Sequence, residues 1–307
     1  MPNKNRKEFF TYEQQIDFLK NKNLIINDEE HAIQSLKEFG YYSLISGYKD
    51  IFKVAKHGNY KNNVNFTDLV ILYSFDDQLR HIFLQQIIRI EKKIKSLYSY
   101  SFCELYGDRQ SDYLNVNNYN YERYQDDVNK YIGIINDTIT NSSRYPYIKH
   151  SIDEHSEVPL WILVQTLTLG TVSKLYTFSQ QTLQSKIARE FNGIYDRQLI
   201  SILNILSKFR NVCAHGERLY NYKTQTSFRT LPIHSKVTDF SVSKNDLFNV
   251  LLCFKQLLSK EQFDIFFEIL KSQIDFLRKH WSKKYVSQIL SEMGFPSAWE
   301  VVKDIVI

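Results

Sequence analysis

The sequence of 307 residues predicts an all-α protein, and three observations carry that prediction. Apolar residues recur at spacings of three and four rather than two. Breakers are few, with five Pro and nine Gly. Hydrophobic residues make up 43% of the chain and aromatic residues 15%, ample for a helical core. This length allows one large domain or two ordinary ones. No repeat, linker or low-complexity tract divides it, so 1–307 reads as one all-α domain. Its expected parts are an N-terminal helical part to about residue 60 and a core over about 65–290.

The elements follow in chain order. Thr11 to Lys22 reads as a short amphipathic helix. Asn27 or Asp28 ahead of EEHAIQSLKEF reads as an N-cap with acidic first-turn residues, which suit the positive end of a helix dipole. Two glycines in GYYSLISGY, Gly40 to Tyr48, interrupt the pattern. Thr67 is placed to cap a long helix in which Leu79, Phe83, Ile87, Ile90, Ile94 and Leu97 form one stripe. Arg89, Lys92, Lys93 and Lys95 lie on its other face and are expected in solvent. Residues 107–156, rich in Asn, Asp and Tyr with weak periodicity, read as an insertion of helix broken by loops. PLWILVQTLTLGTVSKLY, Pro159 to Tyr176, reads as a buried helix with a first-turn Pro and an interruption at Gly170. A helix over Asp196 to Ala214, a polar loop to Ser243 and two or three helices from Asn245 to Ser291 complete the set.

The formal net charge of +5 permits an anionic partner without requiring one. Cys103, Cys213 and Cys253 are odd in number and widely spaced, which fits a reducing cytoplasm better than a disulfide or zinc framework. MPNKNRKEFF leads into polar sequence rather than an apolar leader, and no window approaches the ~18 apolar residues of a membrane span. No membrane association is expected.

FRNVCAHGERLYN, Phe209 to Asn221, concentrates polar chemistry at the end of an apolar helix. At about 100° per residue, Leu199, Ile202, Leu203, Leu206, Phe209 and Cys213 share one stripe, and Arg210 falls within it. A guanidinium there is costly unless it is paired, reaches outward, or faces a polar cleft or a subunit interface. Asn211 and His215, four apart, share a neighbouring face. A capped helix end accounts for these residues structurally, because Arg, Asn, His and then Gly suit late turns. The chemical reading is attack on a phosphodiester. Histidine moves protons near neutrality, and the planar arginine fork matches the oxygens of a phosphorane. With RNA, the ribose 2′-hydroxyl can be the nucleophile, so no metal is required. DEEH at Asp28 to His31 and DEHSE at Asp153 to Glu157 contain ligand residue types but read as a helix start and an exposed loop. Arg followed by His at similar spacing recurs as Arg144 to His150 and as Arg229 to His234. Pro146 and Pro232 interrupt those spans, leaving RNVCAH as the one with a continuous helical setting.

RNVCAHGERLYN strongly resembles the RN-x-CAH-x-x-RL-x-N signature of the Abi-D/Abi-F-like abortive infection family, a branch of the HEPN superfamily of helical ribonucleases. Other blocks resemble the family in order and spacing: YEQQIDFLKNKNLII, GYYSLISGY, FTDLVILYSFDDQLRHIFLQQIIRIE, PLWILVQTLTLGTVSKLY and MGFPSAW at Met293 to Trp299. The resemblance implies a HEPN-like helical bundle with additional helices. It implies metal-independent RNA cleavage in bacterial antiphage defence, leaving a 2′,3′-cyclic phosphate and a 5′-hydroxyl. It also implies an RNA substrate, no cofactor, and a homodimer whose motif helices face each other. Some of the group look as though they work with a small noncoding RNA.

Carried over by position, Arg210 would stabilise the phosphate, His215 would act as acid or base, and Asn211 would orient one of them or the substrate. Arg218, Tyr220 and Asn221 would position RNA or serve the structure. Gly216-Glu217 stands where many relatives have His-Gly or similar, so a mechanism needing two histidines per chain does not carry over. Tyr113, Tyr119, Tyr121 and Tyr124 are candidates either for stacking on unpaired bases or for ordinary packing. The rival function is a non-catalytic RNA-binding protein that keeps the motif and acts through a small noncoding RNA.

Overall fold

The three- and four-residue apolar spacing becomes helix through most of the residues that a computed structural model describes, 8–55, 58–237 and 245–306. The helices are α1 (Tyr12–Lys20), α2 (Glu29–Phe39), α3 (Phe66–Tyr106), α4 (Gln110–Leu114), α5 (Tyr121–Thr140), α6 (Pro146–His155) and α7 (Leu160–Leu163). After them come α8 (Leu169–Phe178), α9 (Gln181–Ala188), α10 (Asp196–Ala214), α11 (Leu247–Leu257), α12 (Lys260–His280) and α13 (Lys283–Glu292). Among the described residues there are isolated β-bridges but no sheet, and no helix is long and apolar enough to cross a membrane. The polar loop expected up to Ser243 is seen as far as Val237, with a 3₁₀ turn at Pro232–Lys236; its last residues, like the start of MPNKNRKEFF, lie outside the described residues.

Two compact units form. The first comprises the chain to Leu79 together with Gln273–Ile289, and the second comprises Arg80–Ser272 with Leu290–Ile307. In the first, α1 and α2 pack through Ile16, Leu19, Ala32 and Leu36, all buried. Thr11 caps α1 in a reciprocal box with Gln14. Asp28, rather than Asn27, caps α2 by accepting the His31 N–H at 2.9 Å, which makes DEEH a helix start. GYYSLISGY is more ordered than an interruption, because Tyr42–Ser46 forms a π-helical turn. Buried Tyr48 donates to Asp76 Oδ2 at 2.6 Å. Asp68 accepts from the Asn65 N–H at 2.8 Å and from the Trp281 indole at 2.7 Å. Asn65 therefore stands at the cap of α3, and Thr67 lies in its first turn.

The second unit carries most of the core. The α3 stripe from Leu79 to Ile94 is buried as expected, but it continues through Tyr98 and Phe102 while Leu97 is half-buried. Lys95 is not on a solvated face. It is 7% exposed and pairs with Glu91, one turn earlier, at 2.7 Å, since a buried ammonium persists only when paired. In PLWILVQTLTLGTVSKLY the break falls at Leu167–Thr168. Thr168 caps α8 through the Thr171 N–H, Pro159 occupies the cap position of α7, and Gly170 sits inside the first turn of α8. Residues 107–156 are mostly helical, with α5 kinked at Tyr124. Tyr113 and Tyr119 are buried there and donate to the carbonyls of Val158 at 2.6 Å and Tyr113 at 2.8 Å. Tyr124 packs on Phe178, and Tyr121 bonds Asn129. Packing therefore accounts for this tyrosine cluster, and the two buried rings present no face to a base.

Two glycines show how differently a turn and a close approach constrain the chain. Gly216, after the end of α10, has φ +67, and an added Cβ would meet nothing within 4 Å. Gly294, in the MGFPSAW block, has φ +81, and its Cβ would lie 2.2 Å from Asp246 Cγ. That carboxylate is 1% exposed and is held as the cap of α11, accepting from the Asn249 N–H at 3.2 Å and its side-chain amide at 2.7 Å. Gly216→Ala should lower stability by about 1 kcal/mol, the left-handed strain alone. Gly294→Ala should cost about 3 kcal/mol or more, because strain adds to overlap with a pinned group. Chemical denaturation of both variants measures the contrast, and equal losses would contradict it.

Candidate active site

The helix α10 forms over the predicted Asp196–Ala214 because an acidic residue opens its first turn and its apolar stripe finds a partner. Leu199, Ile202, Leu203, Leu206 and Phe209 are fully buried, Cys213 is 6% exposed, and α8 supplies the main packing partner. The Gln198 side chain accepts the Tyr195 N–H at 2.9 Å and closes the N-terminal end. At the other end His215 is the last residue with negative φ, and Gly216 turns left-handed. The Gly216 N–H donates to Cys213 O at 3.3 Å and the Glu217 N–H to Val212 O at 3.0 Å. This pair of bonds is a Schellman closure, which satisfies carbonyls the helix leaves open.

Beyond the closure the chain returns along α10. Tyr222 packs edge-on against Phe209 with ring centroids 5.0 Å apart. Thr226 Oγ1 accepts from Lys208 Nζ at 3.0 Å, Ser201 Oγ accepts the Arg229 N–H at 3.1 Å, and Thr230 O accepts from the Gln198 amide at 2.6 Å. The partners step from residue 209 back to 198, so this strap holds the whole length of the helix. Burial, with the Glu217 carboxylate adding, pushes the Tyr222 hydroxyl above the ordinary tyrosine value. Tyr222 therefore stays protonated at neutral pH and is unsuited to act as a base there.

The three residues expected to carry chemistry divide as the helix geometry requires. Asn211 and His215 are exposed neighbours, joined through the backbone by the His215 N–H and Asn211 O at 2.9 Å. Arg210 is half-buried at the edge of the stripe, and its Nε is buried with no hydrogen-bond partner. Buried polar nitrogens usually have an acceptor, and this one, like Trp299 Nε1 in the same unit, has none among the described residues. Between Lys208 and Lys223 the chain carries Lys208, Arg210, Arg218 and Lys223 against the single carboxylate of Glu217. That balance suits an anionic ligand.

The rest of the motif is mainly architectural. Tyr220 is 2% exposed, and Arg218 and Asn221 are half-buried. Arg80 on α3, 4% exposed, donates from Nη1 to Glu217 O at 3.4 Å and so holds the turn that ends the motif. Sequence reading did not single out Arg80, though the signal was present: like Arg210, it is an arginine set among apolar stripe positions. The two look-alike pairs are excluded. Pro146 occupies the first position of α6, so Arg144 lies outside the helix that holds His150. His234 is engaged structurally, with Nδ1 accepting the Leu231 N–H at 2.7 Å and Nε2 against Asn249 Oδ1 at 2.9 Å. Among the described residues, no group of three or more His, Cys, Asp or Glu side chains is arranged to hold a metal ion. Cys103, Cys213 and Cys253 form no disulfide.

No curated protein and no solved structure matches the chain. Residues 34–221 match the family described as Abi-like protein. The match takes in the π-helical turn, all of α3, the cap of α8 and the whole of α10 with its closing turn, and it ends at Asn221, the last residue of the motif. It spans more than half of the 307 residues, and on that ground the chain belongs to the Abi-like protein family.

Proposed function

We propose that this protein is a metal-independent endoribonuclease of the HEPN type, acting in abortive-infection defence against phage. The observation that carries the reading is the orphaned, buried Nε of Arg210 beside an exposed His215 and Asn211 at a helix end. A phosphate oxygen supplies the acceptor this nitrogen lacks. In the reaction the ribose 2′-hydroxyl gives up its proton to a base and attacks the adjacent phosphorus, and the 5′-oxygen leaves with a proton from an acid. His215 moves one of these protons, Arg210 neutralises charge growing on the phosphorane oxygens, and Asn211 orients substrate or imidazole. One histidine per chain serves one of the two proton transfers at a time. A second copy of the chain, with its α10 end facing the first, would bring the second histidine. It would also cover the half-buried arginine.

A second reading, RNA binding without cleavage, draws on one observation. The exposed His215 ring has no hydrogen-bond partner among the described residues, whereas a catalytic histidine is usually oriented by a third group. Two variants separate the readings. His215→Ala should reduce RNA cleavage by roughly 10²-fold or more while RNA affinity and melting temperature stay close to wild type. Arg210→Lys keeps the charge but loses the fork, and should lose a comparable rate with folding retained. Cleavage at the wild-type rate by His215→Ala would leave RNA binding as the function.

The shared-site arrangement makes its own prediction. Light scattering of the purified protein should give twice the chain mass, and cleavage should fall as dilution dissociates the dimer. A fully active monomer removes the two-chain site.

A further inference from the structure

A cleft of about 810 Å³ opens in the second unit, away from the motif. It lies between α3, the turn after α9, the α11–α12 junction and the last residues described. Its volume is in the usual range for a small-molecule pocket. Asn192 in its wall lies just before the start of α10, and about 20 Å of helix at 1.5 Å per residue separates Asp196 from Arg210.

Five cationic side chains line the cleft against three carboxylates, Glu190, Asp264 and Asp304. Lys260 is taken by Asp264 at 2.8 Å, and Lys303 pairs outside the cleft with Glu268. The remaining three make no direct ion pair, although Glu190 acts on Lys93 and Asp264 and Asp304 act on Lys255 through space. Arg89 donates to Gln86 Oε1 at 3.0 Å. Lys93 Nζ lies 4.2 Å from the centre of the Phe191 ring. Lys255 donates to Lys303 O at 2.6 Å and lies 4.6 Å from the centre of the Phe263 ring. Arg89 and Lys93 are one turn apart on α3 and present their charges together. A second, independent feature sits in the same wall. Gln256, 5% exposed, donates its amide N–H to Asn192 O, which leaves its Oε1 buried with no donor.

We propose that this cleft binds a nucleotide, with the phosphate on Arg89, Lys93 and Lys255 and a ribose hydroxyl or base N–H donating to Gln256 Oε1. The cleft lining carries five cations against three carboxylates, and a phosphate answers that excess at the three cations that make no direct ion pair, while a hydroxyl or ring N–H answers the orphaned acceptor. Leu258 and Ile305 supply apolar wall for the rest of the molecule. Burial lowers the ammonium pKa of both Lys93 and Lys255, a desolvation cost that a bound anion offsets. The assignment is independent of the ribonuclease reading, because none of these groups belongs to the motif.

The test is isothermal titration of the full chain with AMP, CMP, GMP and UMP, beside adenosine and inorganic phosphate. At least one nucleotide should bind saturably at one per chain, with adenosine and phosphate each about tenfold weaker or more. Lys93→Gln and Lys255→Gln should each weaken that nucleotide about tenfold or more, the worth of one charge-assisted contact, with unliganded melting temperatures unchanged. Arg210→Ala should leave the affinity as it is. The proposal is overturned if no mononucleotide binds, even where a short single-stranded RNA does. Phosphate alone binding as tightly, binding that survives both lysine variants, or binding lost only with Arg210→Ala overturns it equally.

Discussion

The candidate site depends on how α10 stops. A helix leaves its last carbonyls without donors, and here the Gly216 and Glu217 N–H groups turn back to supply them. The turn requires a left-handed residue directly after His215, and glycine provides it at φ +67. With the helix ended at that point, His215 and Asn211 stand on an exposed edge, while Arg210, a third of a turn away, stays against the core. Arg80 then holds the Glu217 carbonyl from α3. The strap from Tyr222 to Thr230 ties the helix along its length. The backbone geometry of the helix end thus fixes where the side chains of His215, Asn211 and Arg210 start, with the Arg210 Nε left unpartnered.

Much of this was legible in the sequence, and the reason is periodicity. The extent of α10 and its buried stripe follow from counting residues at 100° each, and the structure agrees, with Arg210 half-buried at the edge of that stripe rather than inside it. Pro146 and Pro232 likewise disqualified the look-alike motifs by removing a continuous helix. What periodicity could not supply was the partner. Lys95 looks solvent-facing until Glu91, one turn away, is seen to accompany it into the core. Tyr113 and Tyr119 look available until the carbonyls they bond are placed around them. Thr67 and Gly170 are plausible cap and break by type, but Asn65 and Thr168 took those roles, because cap geometry turns on single residues that patterns locate only approximately. Arg80 was within reach. An arginine among apolar positions was read as informative in α10 and deserved the same reading in α3.

Of the four buried polar side-chain atoms without a hydrogen-bond partner among the described residues of the second unit, two of opposite kind lie near opposite ends of α10. Arg210 Nε is a donor without an acceptor, and Gln256 Oε1 is an acceptor without a donor. Both are buried; Gln256 lines a cleft with five cationic side chains, and Arg210 lies in a stretch of sequence rich in Lys and Arg. The MGFPSAW block is engaged mainly in packing, although Trp299 Nε1 is also buried without a partner. Phe295 packs edge-on against Phe248 and Trp299, Trp299 packs on Phe267, and Gly294 clears Asp246. Its place in the sequence signature is explained by architecture rather than chemistry.

The ribonuclease account is tested most directly by the ends left on a cut RNA. Purified protein incubated with a defined RNA in EDTA should leave a 2′,3′-cyclic phosphate on one fragment and a 5′-hydroxyl on the other. A single 2′-deoxy sugar at the cut should block that cleavage, because the nucleophile is then missing. Fragments ending in a 3′-hydroxyl and a 5′-phosphate, or equal cutting of the deoxy substrate, would contradict the mechanism assigned to Arg210 and His215.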